Sequence, residues 1–189
     1  MTILLVLLTI VVFFGIFYAT AFNKLIHARQ KVKEAWSGID VQLKRRYDLI
    51  PKLVETVKGY ATHEQNTLTK VIAARTAAMD VPEGNIATQA KAENMLSSTL
   101  KSIFALSENY PDLKANQNFI QLQEQLVETE DQISASRRIY NGNVTILNTK
   151  VQGFPSNFVA NLHKFNEEEF FELDENTRES LQEAPKVTF

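Results

Sequence analysis

The stretch FIQLQEQLVETEDQISASRRIYNGNVTILNTKV, residues 119–151, decides the fold. Phe119, Leu122, Leu126, Thr129, Ile133, Ser136, Tyr140, Val144, Leu147 and Val151 recur at steps of three and four, which places them on one face of a single helix. The pattern predicts a helix over about Lys114–Gln152, long for a globular protein. It reads like a coiled-coil strand, so pairing with a second chain is an open expectation. Thr129 and Ser136 interrupt the apolar stripe, and the seam is expected to loosen there. Gly142 inside the helix costs up to ~1 kcal/mol relative to Ala. It suggests a local bend or a close helix approach.

Upstream, Pro51, Pro82, Pro111 and Pro155 punctuate the chain into helix-sized blocks. The first runs from about Asn23 to Arg46, with Leu25, Val32, Trp36, Ile39 and Leu43 on one stripe. The second is predicted to start near Asp48, with Asp48 as cap and Pro51 in the first turn, where a missing donor matters little. Leu53, Val57, Tyr60, Leu68 and Val71 line its face until about Met79. Asp80–Gly84 reads as a loop. The third covers about Ile86–Glu108, with Ala92, Leu96, Thr99, Ile103, Leu106 and Tyr110 as its stripe. No alternating β-branched run is long enough for a sheet. The expected class is all-α, a mostly antiparallel four-helix bundle. A three-helix bundle whose first helix kinks at Pro51 is the alternative.

The 189 residues begin differently from how they continue. Residues 1–22 hold 18 apolar side chains and no charge. The run Ile3–Phe22 makes a helix of about 30 Å, the thickness of a bilayer's hydrocarbon core. Ala19-Thr20-Ala21 resembles a signal-peptidase site, but no basic residue precedes the run, which also exceeds the usual signal core. The expectation is a retained transmembrane anchor over residues 1–23. It continues into the first helix of a bundle over residues 24–152. Lys24, Arg29, Lys31 and Lys33 follow the span, and only Met1 and Thr2 precede it. Basic flanks stay cytoplasmic, so the N-terminus is expected outside and the remainder inside. The same cations suit anionic lipid head groups.

Residues 153–189 form an acidic, Phe-rich tail. Residues 167–189 hold eight acids and two bases. Six of the eight Phe beyond the anchor fall in the tail: Phe154, Phe158, Phe165, Phe170, Phe171 and Phe189. The tail is expected to pack on the basic bundle, with Phe154, Phe158, Phe170, Phe171 and Phe189 as candidate docking side chains. A docking peptide for another subunit is the competing reading.

Composition excludes several chemistries. With no cysteine, a disulfide scaffold, a thiolate metal site and a Cys nucleophile are all ruled out. His63-Glu64 begins like H-E-x-x-H, but Thr67 stands where the second His belongs. His27 and His163 are remote in sequence. Glu128 and Asp131 read as solvated charges on a polar face. No catalytic, cofactor-binding or metal-ligating residue is assigned, and no cofactor is expected. One cluster stands out: Asp40, Lys44, Arg45, Arg46 and Asp48, expected at a corner between helices. Either the acids bond the cations and fix that corner, or the cations contact an anion or a partner, since Arg binds carboxylate and phosphate bidentately. Nucleic acid is not an expected partner, because the basic run is short and lacks stacking aromatics apart from Tyr47.

The run from Ala35-Trp36-Ser37-Gly38-Ile39-Asp40 through Lys44-Arg45-Arg46-Tyr47-Asp48-Leu49-Ile50-Pro51 resembles the bacterial LemA family. So do Val57-Lys58-Gly59-Tyr60-Ala61-Thr62-His63-Glu64 and Glu108-Asn109-Tyr110-Pro111-Asp112-Leu113-Lys114-Ala115-Asn116. Thr129-Glu130, Arg137, Tyr140-Asn141, Phe154-Pro155 and Phe170-Phe171 continue the likeness. The resemblance implies a single-pass protein of the bacterial cytoplasmic membrane with a cytoplasmic helical bundle. It implies no reaction. Family members occur near genes for membrane-associated proteases and envelope proteins, which makes such proteins candidate partners.

The leading expectation is a membrane-anchored, non-enzymatic scaffold or adaptor that assembles with itself. A regulator or sensor acting with membrane proteases, and an enzyme with an unrecognised metal site at His63 and Glu64, are the alternatives.

Overall fold

The computed structural model describes residues 1–172. All regular elements among them are helical: α1 (Thr2–Lys58), α2 (Gln65–Met79), α3 (Ile86–Ser107), α4 (Pro111–Lys114), α5 (Gln117–Gln152) and α6 (Ser156–Leu162). The chain divides into two units. One comprises Met1–Ile39 and Ser136–Glu169; the other comprises Asp40–Ala135 and the described residues from Phe170 onward.

In the first unit, α1 begins with a stretch long and apolar enough to cross a membrane. Ile3, Leu4, Phe13, Phe14, Ile16 and Tyr18 are among its outward-facing side chains. Packing begins at Ala21, and Leu25, Ala28, Val32 and Ile39 continue the buried stripe. They are matched by Tyr140, Val144 and Leu147 of α5 and by Val159 and Ala160 of α6. Trp36 meets Tyr140 edge to face at 5.4 Å. After α6 the described chain forms no regular element, and Asn148 holds it by two bonds to Glu168. Its Nδ2 donates to the Glu168 carbonyl (3.0 Å), and its Oδ1 accepts from the Glu168 N–H (2.9 Å). Tyr140 adds a bond from its hydroxyl to the Glu169 carbonyl at 2.9 Å. Phe165 is buried and lies under the Arg29 guanidinium at 4.8 Å, a cation–π contact.

The second unit has an apolar core. Leu49, Ile50, Leu53 and Val57 of α1 meet Leu68, Val71 and Ala78 of α2, Leu96, Leu100 and Ile103 of α3, Leu113 of α4, and Phe119 and Leu126 of α5. Helices α2 and α3 form a hairpin through the Asp80–Asn85 loop. Gly84 turns that loop with φ of 87°, open to glycine without strain. Asn85 caps α3 by accepting from the Thr88 N–H at 3.1 Å. Asn116 does the same for α5, accepting from Phe119 at 3.0 Å.

Four local expectations need correction. No helix starts at Asp48, because α1 continues past Pro51 and stops at Lys58, before Gly59. Proline at position 51 removes the donor for the Tyr47 carbonyl. That carbonyl instead accepts from Arg75 Nε of α2 at 2.8 Å. The break between helices therefore falls at Gly59–Glu64. The long helix begins at Gln117, since Asn116 caps it and leaves Pro111–Lys114 as a separate turn. Thr129 does not loosen the seam: it is fully buried, its hydroxyl donating to the Gln125 carbonyl at 2.7 Å, whereas Ser136, the other residue of that expectation, is half-buried. Finally, a Cβ added at Gly142 would meet open space, so no helix among the described residues approaches closely there.

Candidate functional site

Arg46 lies on the buried stripe of α1, in step with Ile39, Leu43, Ile50 and Leu53. Only 2% of it is exposed. It projects into the second unit toward α3 and α5. Nη1 donates to Glu93 Oε2 at 3.1 Å and Nη2 to Ser97 Oγ at 3.0 Å. Nη2 also pairs with the carboxylate of Glu130. Glu93 is itself buried. Its other oxygen accepts from the Tyr47 hydroxyl and from Gln89 Nε2, the latter at 2.9 Å. Gln89 Nε2 further approaches the Tyr47 hydroxyl (3.2 Å) and the Ala78 carbonyl (3.1 Å). This polar network thus ties α1, α2, α3 and α5 together.

Burial pushes the Arg46 guanidinium down from its usual range, and the adjoining Glu93 carboxylate opposes that shift. Burial pushes the Tyr47 phenol up, and the Glu93 carboxylate adds to it. The Glu93 carboxylate favours the charged guanidinium against the cost of burial, and burial together with Glu93 keeps Tyr47 a neutral donor.

The five residues expected to form a corner separate here. All sit within α1, so there is no corner. Arg46 is internal. Arg45 faces outward and bonds Glu128 at 2.8 Å, both partly exposed, so Glu128 is paired rather than merely solvated. Asp40, Lys44 and Asp48 are exposed at four-residue spacing. Among the described residues, no ion pair joins Asp40 or Asp48 to Lys44, Arg45 or Arg46.

The expected tail side chains also separate. Phe171 is buried, whereas Phe154, Phe158 and Phe170 are exposed. Phe189 lies outside the described residues. Phe154 and Phe158 instead contact each other edge to face at 6.0 Å, because the inner face of α6 is taken by Val159 and Ala160.

At the loops of the second unit, the Tyr110 hydroxyl donates to Glu64 Oε1 at 3.2 Å, and Asn116 Nδ2 donates to the Tyr60 hydroxyl at 2.9 Å. Glu64 is therefore engaged with a phenol, and His63 is exposed. Among the described residues, no group of three or more His, Asp or Glu side chains is gathered to hold a metal ion.

The side chains engaged in these contacts fall within the region that a family model matches, residues 35–189, described as the LemA family. The chain belongs to the LemA family. It is also similar to Protein LemA of Metamycoplasma hominis, 29% identical over 158 residues, covering 84% of this chain and 71% of that protein. The LemA match takes in α2 to α6 and the part of α1 that carries Arg46, but not the apolar segment.

Sequence reading missed Glu93, Ser97 and Glu130 as partners of Arg46, and Gln89 as a partner of Glu93. A signal for two members was present. Arg46 falls on the apolar stripe Leu43–Ile50, and Glu93 falls on the stripe Ile86, Ala90, Leu96, Leu100 and Ile103. A charge on an apolar stripe calls for a buried partner of opposite sign.

Proposed function

We propose that this chain is a membrane-anchored scaffold or adaptor of the bacterial envelope, without catalysis of its own. The observation that carries this reading is the continuity of α1. The apolar stretch passes without a linker into side chains that are already packed from Ala21 onward. An anchor fused to a packed helix presents a domain at a defined distance from the bilayer. A flexible tether would not.

Lys24, Arg29, Lys31 and Lys33 follow the apolar stretch and favour a cytoplasmic location for the helical units, in the inner membrane. The Arg46 network supports an architectural role, since its charges are spent on one another. The partner surface in this reading is the exposed face of α1 bearing Asp40, Lys44 and Asp48, together with a second copy of the chain as one partner. Envelope proteins, membrane proteases among them, are further candidates.

Size measurement of the full chain in mild detergent, before and after charge reversal at Asp40, Lys44 and Asp48, tests the reading. An assembly that dissociates on reversal, with unchanged thermal stability, is the expected result. A monomer at every concentration removes self-assembly. Carbonate extraction of membranes tests the anchor, which should stay in the pellet.

A further inference from the structure

Helix α6 has only seven residues, too few to hold itself together in water. It is held from within: Val159 and Ala160 are buried, and the Phe165 N–H returns to the Ala160 carbonyl at 2.9 Å. Its other side is apolar and uncovered. Phe158 and Leu162, one turn apart on α6, are 67% and 70% exposed, and Phe154, in the turn before α6, is 81% exposed with its ring 6.0 Å from that of Phe158. Three large apolar side chains in one row, fixed by an ordered inner face, are not scattered surface residues.

Their position is informative. Directly after α6, His163 Nε2 lies 2.5 Å from the Tyr18 hydroxyl, and its ring is 4.6 Å from that of Phe22. Phe165 meets Phe22 at 6.1 Å. The end of α6 therefore sits beside Tyr18 and Phe22, where the outward-facing apolar surface of α1 ends and its cations begin. Tyr and Trp gather at such a level in membrane proteins. Lys24, His27, Lys31 and Lys150 line a groove of about 450 Å³ in the same unit, and Lys164 follows α6. An apolar helix face beside the anchor's exit, in a unit whose α1 and α5 carry these cations, suits a helix lying in an anionic bilayer surface.

We propose that α6 is a second membrane contact: Phe154, Phe158 and Leu162 insert into the boundary between head groups and acyl chains, beside the exit of the α1 anchor. This rests on the anchored reading of α1. The occupant is lipid because the residues that follow α6 contact Tyr18 and Phe22, at the end of the anchor's apolar surface. Two contacts restrain the tilt and rotation of α1, which a lone helix in a bilayer does not fix.

The chain has no cysteine, so a single introduced thiol is a unique labelling site. The full chain is reconstituted in phosphatidylethanolamine–phosphatidylglycerol vesicles with an environment-sensitive dye at Phe158→Cys. Phe154→Cys serves as an independent position, Leu8→Cys as a probe of the anchor and Lys70→Cys as an aqueous control. The expected result is blue-shifted emission at both α6 positions, lost to lipids brominated near the head group and protected from iodide. If Leu8→Cys is quenched by lipid while the α6 positions behave like Lys70→Cys, the second contact is overturned and the anchor stands. If Leu8→Cys also behaves like Lys70→Cys, both fail. Blue-shifted emission at α6 that neither lipid nor iodide quenches means that protein, such as a second copy, covers the row, and this too overturns the proposal.

Discussion

Arg75 Nε donates to the backbone carbonyl of Tyr47 at 2.8 Å, and that carbonyl is the one Pro51 deprives of its helical partner. A proline inside a helix ordinarily costs about 3 kcal/mol or more. Part of that cost is the orphaned carbonyl, and here a side chain from α2 supplies the missing donor. Arg75→Met is expected to destabilise the second unit by about 1–3 kcal/mol, the penalty of leaving a buried acceptor unsatisfied. Pro51→Ala restores a backbone donor, so the double variant should recover much of the loss. A double-mutant cycle by chemical denaturation measures the coupling, and strictly additive effects would refute it.

Arg45 and Arg46 are neighbours in sequence with opposite roles. Arg46→Met leaves Glu93 buried without its cation and should cost about 3–5 kcal/mol. Replacing both, as Arg46→Met with Glu93→Leu, should recover most of that, since an apolar pair tolerates burial. Arg45→Ala removes only a partly exposed pair with Glu128 and should change stability by less than about 1 kcal/mol. Urea denaturation of the three variants discriminates, and equal losses at Arg45 and Arg46 would contradict the assignment.

Gly142 sits within α5 with open space around its missing Cβ. Gly142→Ala should therefore stabilise the helix by about 0.5–1 kcal/mol, because alanine loses less backbone entropy on folding. A lowered melting temperature would mean that the position serves a contact outside this chain.

Tyr140 carries a pH dependence. Burial, with Glu168 and Glu169 nearby, pushes its phenol up to about 12. The neutral phenol is thus favoured in the folded chain. Its contribution is complete below the ordinary tyrosine value of about 10 and is lost as pH rises from there through about 12. Ultraviolet titration should show late-ionising phenols, Tyr47 among them, and one fewer in Tyr140→Phe. Loss of its bond to the Glu169 carbonyl should also speed proteolysis of the segment after α6.

The stripe from Phe119 to Val151 was legible because helix periodicity is local. Phe119, Leu126, Thr129, Ile133, Tyr140, Val144 and Leu147 are all buried on it. The apolar start of α1 was legible for the same reason. On α3 the reading drifted by one residue, toward Ala92, Thr99 and Leu106. The buried stripe passes through Glu93, Leu100 and Ser107 instead. Counting apolar residues steers away from a carboxylate, and only the presence of Arg46 on α1 makes its burial favourable.

By itself the sequence determined the helical class, the apolar segment, and the faces of α1 and α5, since these follow from spacing within one element. The place where α1 ends, the burial of Arg46 with Glu93, and the outward row of Phe154, Phe158 and Leu162 were decided by tertiary structure. Each depends on a partner far along the chain: Arg75 for Tyr47, Glu93 for Arg46, and Tyr18 and Phe22 for the end of α6. A proline or a charge is costly or favourable according to that partner, and local rules do not see it.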